Sequence, residues 1–132
     1  MEREELGREI ENGYAAYSAG DFEAATRLFD QDFELIRPGG MGVIRGLQAL
    51  REFYEPDALR DMSFEIRSIE ISDDGDTALV ESVVRATGSQ SGLALTQEGF
   101  QVWTLREGRF VRCAAFIDRD EACEAAGFDP AG

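Results

Sequence analysis

From Met62 to Ile117 the sequence reads as strand after strand, with turn signals between them and no helical period. Asp73-Asp74-Gly75-Asp76 and Glu107-Gly108 are tight turns, and Gly88 to Gly92 is a polar loop. Connections this short join antiparallel neighbours, because a parallel pair needs a crossover of roughly a dozen residues or more. The expected strands are Met62–Ile71, Thr77–Thr87, Leu93–Leu105 and Arg109–Ile117. Phe64 and Ile66 share one parity while Ile69 and Ile71 share the other, which predicts a bulge near Arg67 and Ser68. Gly99, in mid-strand, predicts a further bend or bulge.

Helices precede this meander. Leu6, Ile10, Tyr14 and Tyr17 form one apolar stripe on a helix from Arg3 to Ser18, which Gly20 ends. Asp21 caps a second helix, with Phe22, Ala25, Leu28 and Phe29 on its buried face, running to Asp30. Phe33–Arg37 and Gly42–Arg45 read as a short hairpin about Pro38-Gly39-Gly40, and Leu47–Tyr54 as a third helix that Pro56 closes. Asp118 and Glu121 form a capping arrangement for a last helix from Arg119 to Ala126, stopped by Gly127. Helices first and a meander afterwards indicate an α+β domain with the helices on one face of the sheet. Its 132 residues suit one domain, 1–132, with neither repeat nor linker.

Composition narrows the chemistry. The chain contains no histidine and no lysine, so all 13 basic residues are arginine. Ser–His–Asp and Cys–His nucleophile systems, His-ligated metal sites and Schiff-base lysines cannot be built. Any acid or base must be Asp, Glu, Tyr, Cys or water, and no cofactor or metal is implied. A formal net charge of −14 repels phosphate backbones and anionic lipid, so nucleic acid and membrane are not expected partners. The charged stretch Met1–Ile10 is no signal peptide, and no apolar run reaches membrane length, which points to the cytoplasm. Cys113 and Cys123 lack the spacing of a metal or redox pair and read as small buried hydrophobes.

Three segments resemble a known family. Tyr14 through Ala25 is similar to the helix, Gly-Asp, helix opening of the SnoaL-like and ketosteroid isomerase-like branch of the nuclear transport factor 2-like superfamily. Gly46 to Tyr54 resembles its third helix, and Val102–Arg109 with Asp118–Gly127 its closing hairpin and last helix. The resemblance implies a cone-shaped, curved antiparallel sheet, with the N-terminal helices on the concave face and a short C-terminal helix. It also implies a small-molecule pocket inside the cone.

By that resemblance, Gln101, Trp103 and Leu105, with Val111, Cys113, Ala115 and Ile117, face the pocket. Phe100, Val102, Phe110 and Phe116 then lie outside, as an apolar patch that predicts a homodimer. The roles of a ketosteroid isomerase do not carry over. Arg37 stands where the base would be, Gln101 where a protonated acid would be, and Gly13 where the donor tyrosine would be, with Tyr14 one residue away.

Asp118 and Gln101 are the candidate catalytic residues, Asp118 because the SnoaL-type cyclases that the chain resembles place a carboxylate near the end of the last strand, although a helix cap explains it completely. Tyr14, Tyr17, Arg37, Tyr54, Glu81, Arg85, Trp103, Cys113 and Ile117 are the candidate substrate-binding set. Glu81 and Arg85 share a strand face that points either into the pocket or to solvent. The family implies either a cofactor-free acid/base enzyme acting on a small apolar cyclic or polyketide-like substrate, or a non-catalytic ligand-binding or dimerisation domain.

Overall fold

The computed structural model describes residues 1–54, 59–88 and 92–129, without the side chains of residues 54, 59–62 and 88. In chain order the elements are α1 (Arg3–Ser18), α2 (Phe22–Ala25), β1 (Phe29–Ile36), a single 3-10 turn (Pro38–Gly40), β2 (Val43–Arg45) and α3 (Leu47–Tyr54). β3 (Leu59–Ile71), β4 (Thr77–Gly88), β5 (Ala94–Arg106), β6 (Arg109–Phe116) and α4 (Arg119–Ala126) follow. All six strands belong to one curved, unclosed sheet in the order β2-β1-β6-β5-β4-β3. Neighbours are antiparallel except β1 and β6, which pair in parallel because most of the chain lies between them.

The α+β reading and the element order hold, and the β3 register shift falls between Ile66 and Ser68, where the parity slip places it. The second helix is shorter than expected. It stops at Ala25, and Phe29 and Asp30 are already strand, because Phe29 pairs with Phe110 and lays its ring 4.3 Å from that of Phe33. Burial between aromatic rings outweighs the helical spacing of Leu28 and Phe29. Gly99 makes no bulge; β4 and β5 stay in register from Thr77–Thr104 to Thr87–Ala94.

Helix α1 covers the sheet and also guards its free edge. Leu6, Ile10 and Tyr14 are buried against the concave face, as the stripe predicts. At one end of the helix the Arg3 side chain donates to Ile71 O at 3.0 Å; at the other, Phe64 N donates to Ser18 Oγ at 2.9 Å. Both partners lie on β3, the last strand of the sheet. The helix thus occupies backbone groups that would otherwise invite another strand.

The sheet is apolar on both faces. Inside, Phe33, Leu35, Leu50, Ala78, Val80, Leu105, Phe110 and Cys113 join the α1 stripe. Outside, Leu79, Phe100 and Val102 pack under Ala122 and Cys123 of α4, with Phe116 and Phe128 at the margin. Two corrections follow. A register shift after Thr104 sets Leu105 opposite Phe110, leaving Val111 as the extra residue, so Phe110 and not Val111 points into the core. The patch expected to hold a second copy is also covered within the chain: Phe100, Val102 and Phe110 are buried. That argument for a homodimer therefore loses its physical basis.

Two local motifs hold α4 on this outer face. Asp118 Oδ1 accepts from Asp120 N at 2.7 Å and Glu121 N at 3.2 Å. Gly127, at φ 80°, turns the chain so that Phe128 N reaches Cys123 O and its ring meets the outer cluster. No helix among the described residues is long and apolar enough to cross a membrane. Asp118→Asn should leave chemical-denaturation stability nearly unchanged, since Asn caps as well as Asp, whereas Asp118→Ala should lose about 1 kcal/mol. Equal losses in both variants would show that the carboxylate does more than cap.

Candidate functional site

Inside the cone, side chains from three elements form one polar chain. Trp103 Nε1 donates to the Tyr14 hydroxyl at 3.0 Å, Tyr14 donates to Gln101 Oε1 at 2.8 Å, and Ser82 Oγ donates to the same oxygen at 2.9 Å. Each residue arrives by a simple rule. Tyr14 is the third member of the α1 stripe, Gln101 and Trp103 are alternate residues of β5, and Ser82 sits opposite Gly99 on β4.

The indole N–H of Trp103 donates and never accepts. The Tyr14 oxygen accepts from it, and the Tyr14 O–H donates to the carbonyl end of Gln101. The Gln101 oxygen accepts from both Tyr14 and Ser82, and its NH2 has no hydrogen-bond partner among the described residues. Gly99 leaves room for that group: a Cβ there would lie 3.2 Å from Gln101 Nε2.

Burial along the inward face of β5 shows where the chain ends. Leu105 is buried, Trp103, Gln101 and Gly99 are half-buried, and Gln97, Leu95 and Leu93 are exposed. At the narrow end the interior is filled: the Trp103 ring lies 5.3 to 6.0 Å from those of Tyr14, Phe29, Phe33 and Phe110. Gln101 stands where this aromatic packing gives way to the open end. Tyr17 lies about one helical turn beyond Tyr14 on α1, its ring 5.2 Å from Phe64, and burial raises its pKa to about 12. Cys113 is enclosed, and burial pushes its thiol far up, away from the reactive thiolate.

Tyr14, Tyr17, Gln101, Trp103 and Cys113 are thus inward, as expected. The other candidates are not with them. Asp118 is an exposed cap and Ile117 is 63% exposed beyond the end of β6. Ser82 faces inward, so Glu81 and Arg85 face out, where Arg85 meets Glu65 at 2.6 Å and Ser68 donates to Glu81 at 3.4 Å. Arg37 sits at the 3-10 turn with its guanidinium 5.0 Å from the centre of the Phe53 ring. The Tyr54 side chain lies outside the described residues. Sequence reasoning missed Ser82, although a serine between Val80 and Val84 on the inward parity was a visible signal.

Among the described residues no carboxylate is buried, and no acidic or thiol cluster could hold a metal ion. Glu65 and Asp74 are exposed, and hydrogen bonds from Arg85 and from Ser72 respectively hold their pKa values below the ordinary carboxylate values. A cleft of about 40 Å³ between Glu9, Asn12, Arg27 and Phe29 has room for little beyond water.

Residues 10–113 match the family model described as the SnoaL-like domain. No curated protein matches the chain significantly. Among solved structures, an NTF2-like protein of unknown function from Burkholderia pseudomallei superposes with a TM-score of 0.77 at 20% identity, covering 96% of this chain and 98% of that one. TerC, co-crystallised with polyporic acid, gives 0.75 at 24% identity, covering 92% and 96%. SalBIII, an epoxide hydrolase/cyclase-like enzyme of pyran ring formation in the polyether salinomycin, gives 0.77 at 19%, covering 89% and 93%. At these identities the likeness is one of fold, and it agrees with the nuclear transport factor 2-like architecture.

The raised pKa of Tyr17 carries a stability consequence with a definite sign. Burial favours the neutral phenol, so its contribution is complete below the ordinary tyrosine value of 10.0 and is lost as pH climbs towards about 12. Denaturant midpoints should fall across that interval in the wild type and fall less in Tyr17→Phe. An identical alkaline decline in both proteins would contradict the burial of Tyr17.

Proposed function

The chain belongs to the SnoaL-like family, and on that premise we propose that it binds a small apolar molecule at the open end of the cone, with Gln101 as the polar contact. The observation that carries this reading is the free NH2 of Gln101, fixed in place by Tyr14 and Ser82 and cleared by Gly99. No buried side-chain polar atom among the described residues lacks a partner, so this half-buried amide reaches water, which the acceptor oxygen of a ligand can replace. The Phe64 ring packs against both Tyr14 and Tyr17, and in this reading these rings supply apolar wall.

A second reading, a cofactor-free acid/base enzyme acting on a cyclic or polyketide-like substrate, draws support from the likeness to SalBIII. There Gln101, backed by Tyr14, would polarise an oxygen. Binding is the better supported of the two, because the described residues include no buried carboxylate base.

Trp103 is the chain's only tryptophan and touches the relay directly, so its emission should report occupancy. Titration with fused-ring ketones such as indanone and tetralone should give saturable quenching. Gln101→Leu should weaken binding by about 1 kcal/mol, the worth of one hydrogen bond. Absence of any saturable response would overturn the binding reading. Chromatographic conversion of a probe, lost in Gln101→Leu, would favour the enzyme.

A further inference from the structure

Resting on that reading, we propose that Gly99 is the specificity-determining residue of the site. The side chain it lacks leaves a slot through which the edge of a flat ring brings an acceptor oxygen to Gln101. A glycine inside a strand weakens it, and the usual reasons for one are a bulge, another backbone close by, or a ligand. The first fails here, since the β4–β5 ladder runs in register through Ser82 and Gly99. Backbone conformation gives no reason either. The turn glycines Gly20, Gly75 and Gly108 sit at φ of 76° to 80°, whereas Gly99 has no positive φ. The nearest backbone atom to a Cβ at Gly99 would be Phe116 O at 3.8 Å, an ordinary contact. As far as the main chain is concerned, alanine would do.

What a Cβ would meet at close range is the amide end of Gln101, at 3.2 Å. A side chain at this position would both press on that amide and cover it from the mouth. The order along the strand says why this matters. From the exposed end inwards, the inward face of β5 runs Leu95, Gln97, Gly99 and Gln101, with Ser82 across from Gly99 on β4. Gly99 is thus the last position a ligand passes before the amide. Same-face neighbours on a strand stand about 7 Å apart, so one missing side chain leaves a gap that a ring edge fits and a branched group does not. The ligand class follows. A flat cyclic ketone with unbranched carbon beside its carbonyl reaches the amide in place of water, and one with methyl groups beside the carbonyl is held off.

Two isomeric probes separate access to the amide from size and hydrophobicity. In 3,3-dimethyl-1-indanone the methyl groups lie away from the carbonyl, and in 2,2-dimethyl-1-indanone they lie beside it. Their dissociation constants are to be measured by ligand-detected NMR, with 1-indanone as the unbranched parent. The wild type should bind the 3,3-isomer about fivefold tighter than the 2,2-isomer, the worth of one hydrogen bond. In Gly99→Ala the ratio of the two affinities should fall to near one. The same variant should unfold in denaturant at or above the wild-type midpoint, because alanine restricts the unfolded chain.

The ratio is the diagnostic readout, because a merely structural lesion weakens both isomers together. A wild type that binds the isomers equally would overturn the slot and leave the pocket standing. A ratio that survives Gly99→Ala would remove Gly99 from the account in the same way. A Gly99→Ala protein that fails to fold would show that the strand itself needs glycine, and would also overturn the proposal. Failure of 1-indanone and both isomers to bind the wild type would instead sink the binding reading, and this proposal with it.

Discussion

Inside an apolar shell a polar group left unpaired is costly, and the hydrogen bonds that join Tyr14 to Gln101 and Trp103 tie the N-terminal helix of this protein to its sheet. Tyr14 comes from α1, Gln101 and Trp103 from β5, Ser82 from β4, and three hydrogen bonds of 2.8 to 3.0 Å join them. A shift of α1 by one residue, or of β5 by one, would bury several unpaired groups at roughly 1–3 kcal/mol each. An apolar core tolerates small slippage better than this. The relay therefore acts as a register pin, and the same atoms that pin the helix present Gln101 at the mouth.

The sheet around the relay is asymmetric in use and symmetric in composition. Both faces are apolar, and each is covered by helix from the same chain: α1 and its neighbours within, α4 without. Since α4 is short, its attachment depends on its ends, the Asp118 cap and the Gly127 turn that returns Phe128 to the sheet. The residue that sequence reasoning offers as an acid is thereby committed to backbone N–H groups on the outside. The inner surface is left with donors and aromatic rings.

Much of this was legible in the sequence because long strands with regular alternation state their own faces. β5 is the clearest instance: parity puts Gln101 and Trp103 on one face, and the family resemblance says that this face is the inner one. β6 was harder. Its bulge falls where Phe110 and Val111 are both apolar, so hydrophobic pattern gives no clue to which residue is the extra one. β4 hides its polarity in the same way, with Leu79, Val80, Val83 and Val84 divided between two covered faces, so that Glu81 and Arg85 had no fixed direction until Ser82 was seen to reach Gln101. The role of α4 as a lid on the outer face was illegible for a different reason. Ala122 and Cys123 are small, and only the docked geometry shows that they shield Phe100 and Val102.

The central claim is that Tyr14 and Gln101 act as one unit across the helix–sheet boundary. A double-mutant cycle of Tyr14→Phe and Gln101→Leu, read by chemical denaturation, measures that coupling directly. The account predicts a favourable interaction of about 1 kcal/mol between the two positions, with each single variant still folded. Additive losses, with a coupling indistinguishable from zero, would contradict it and show that the helix and the sheet meet through apolar packing alone.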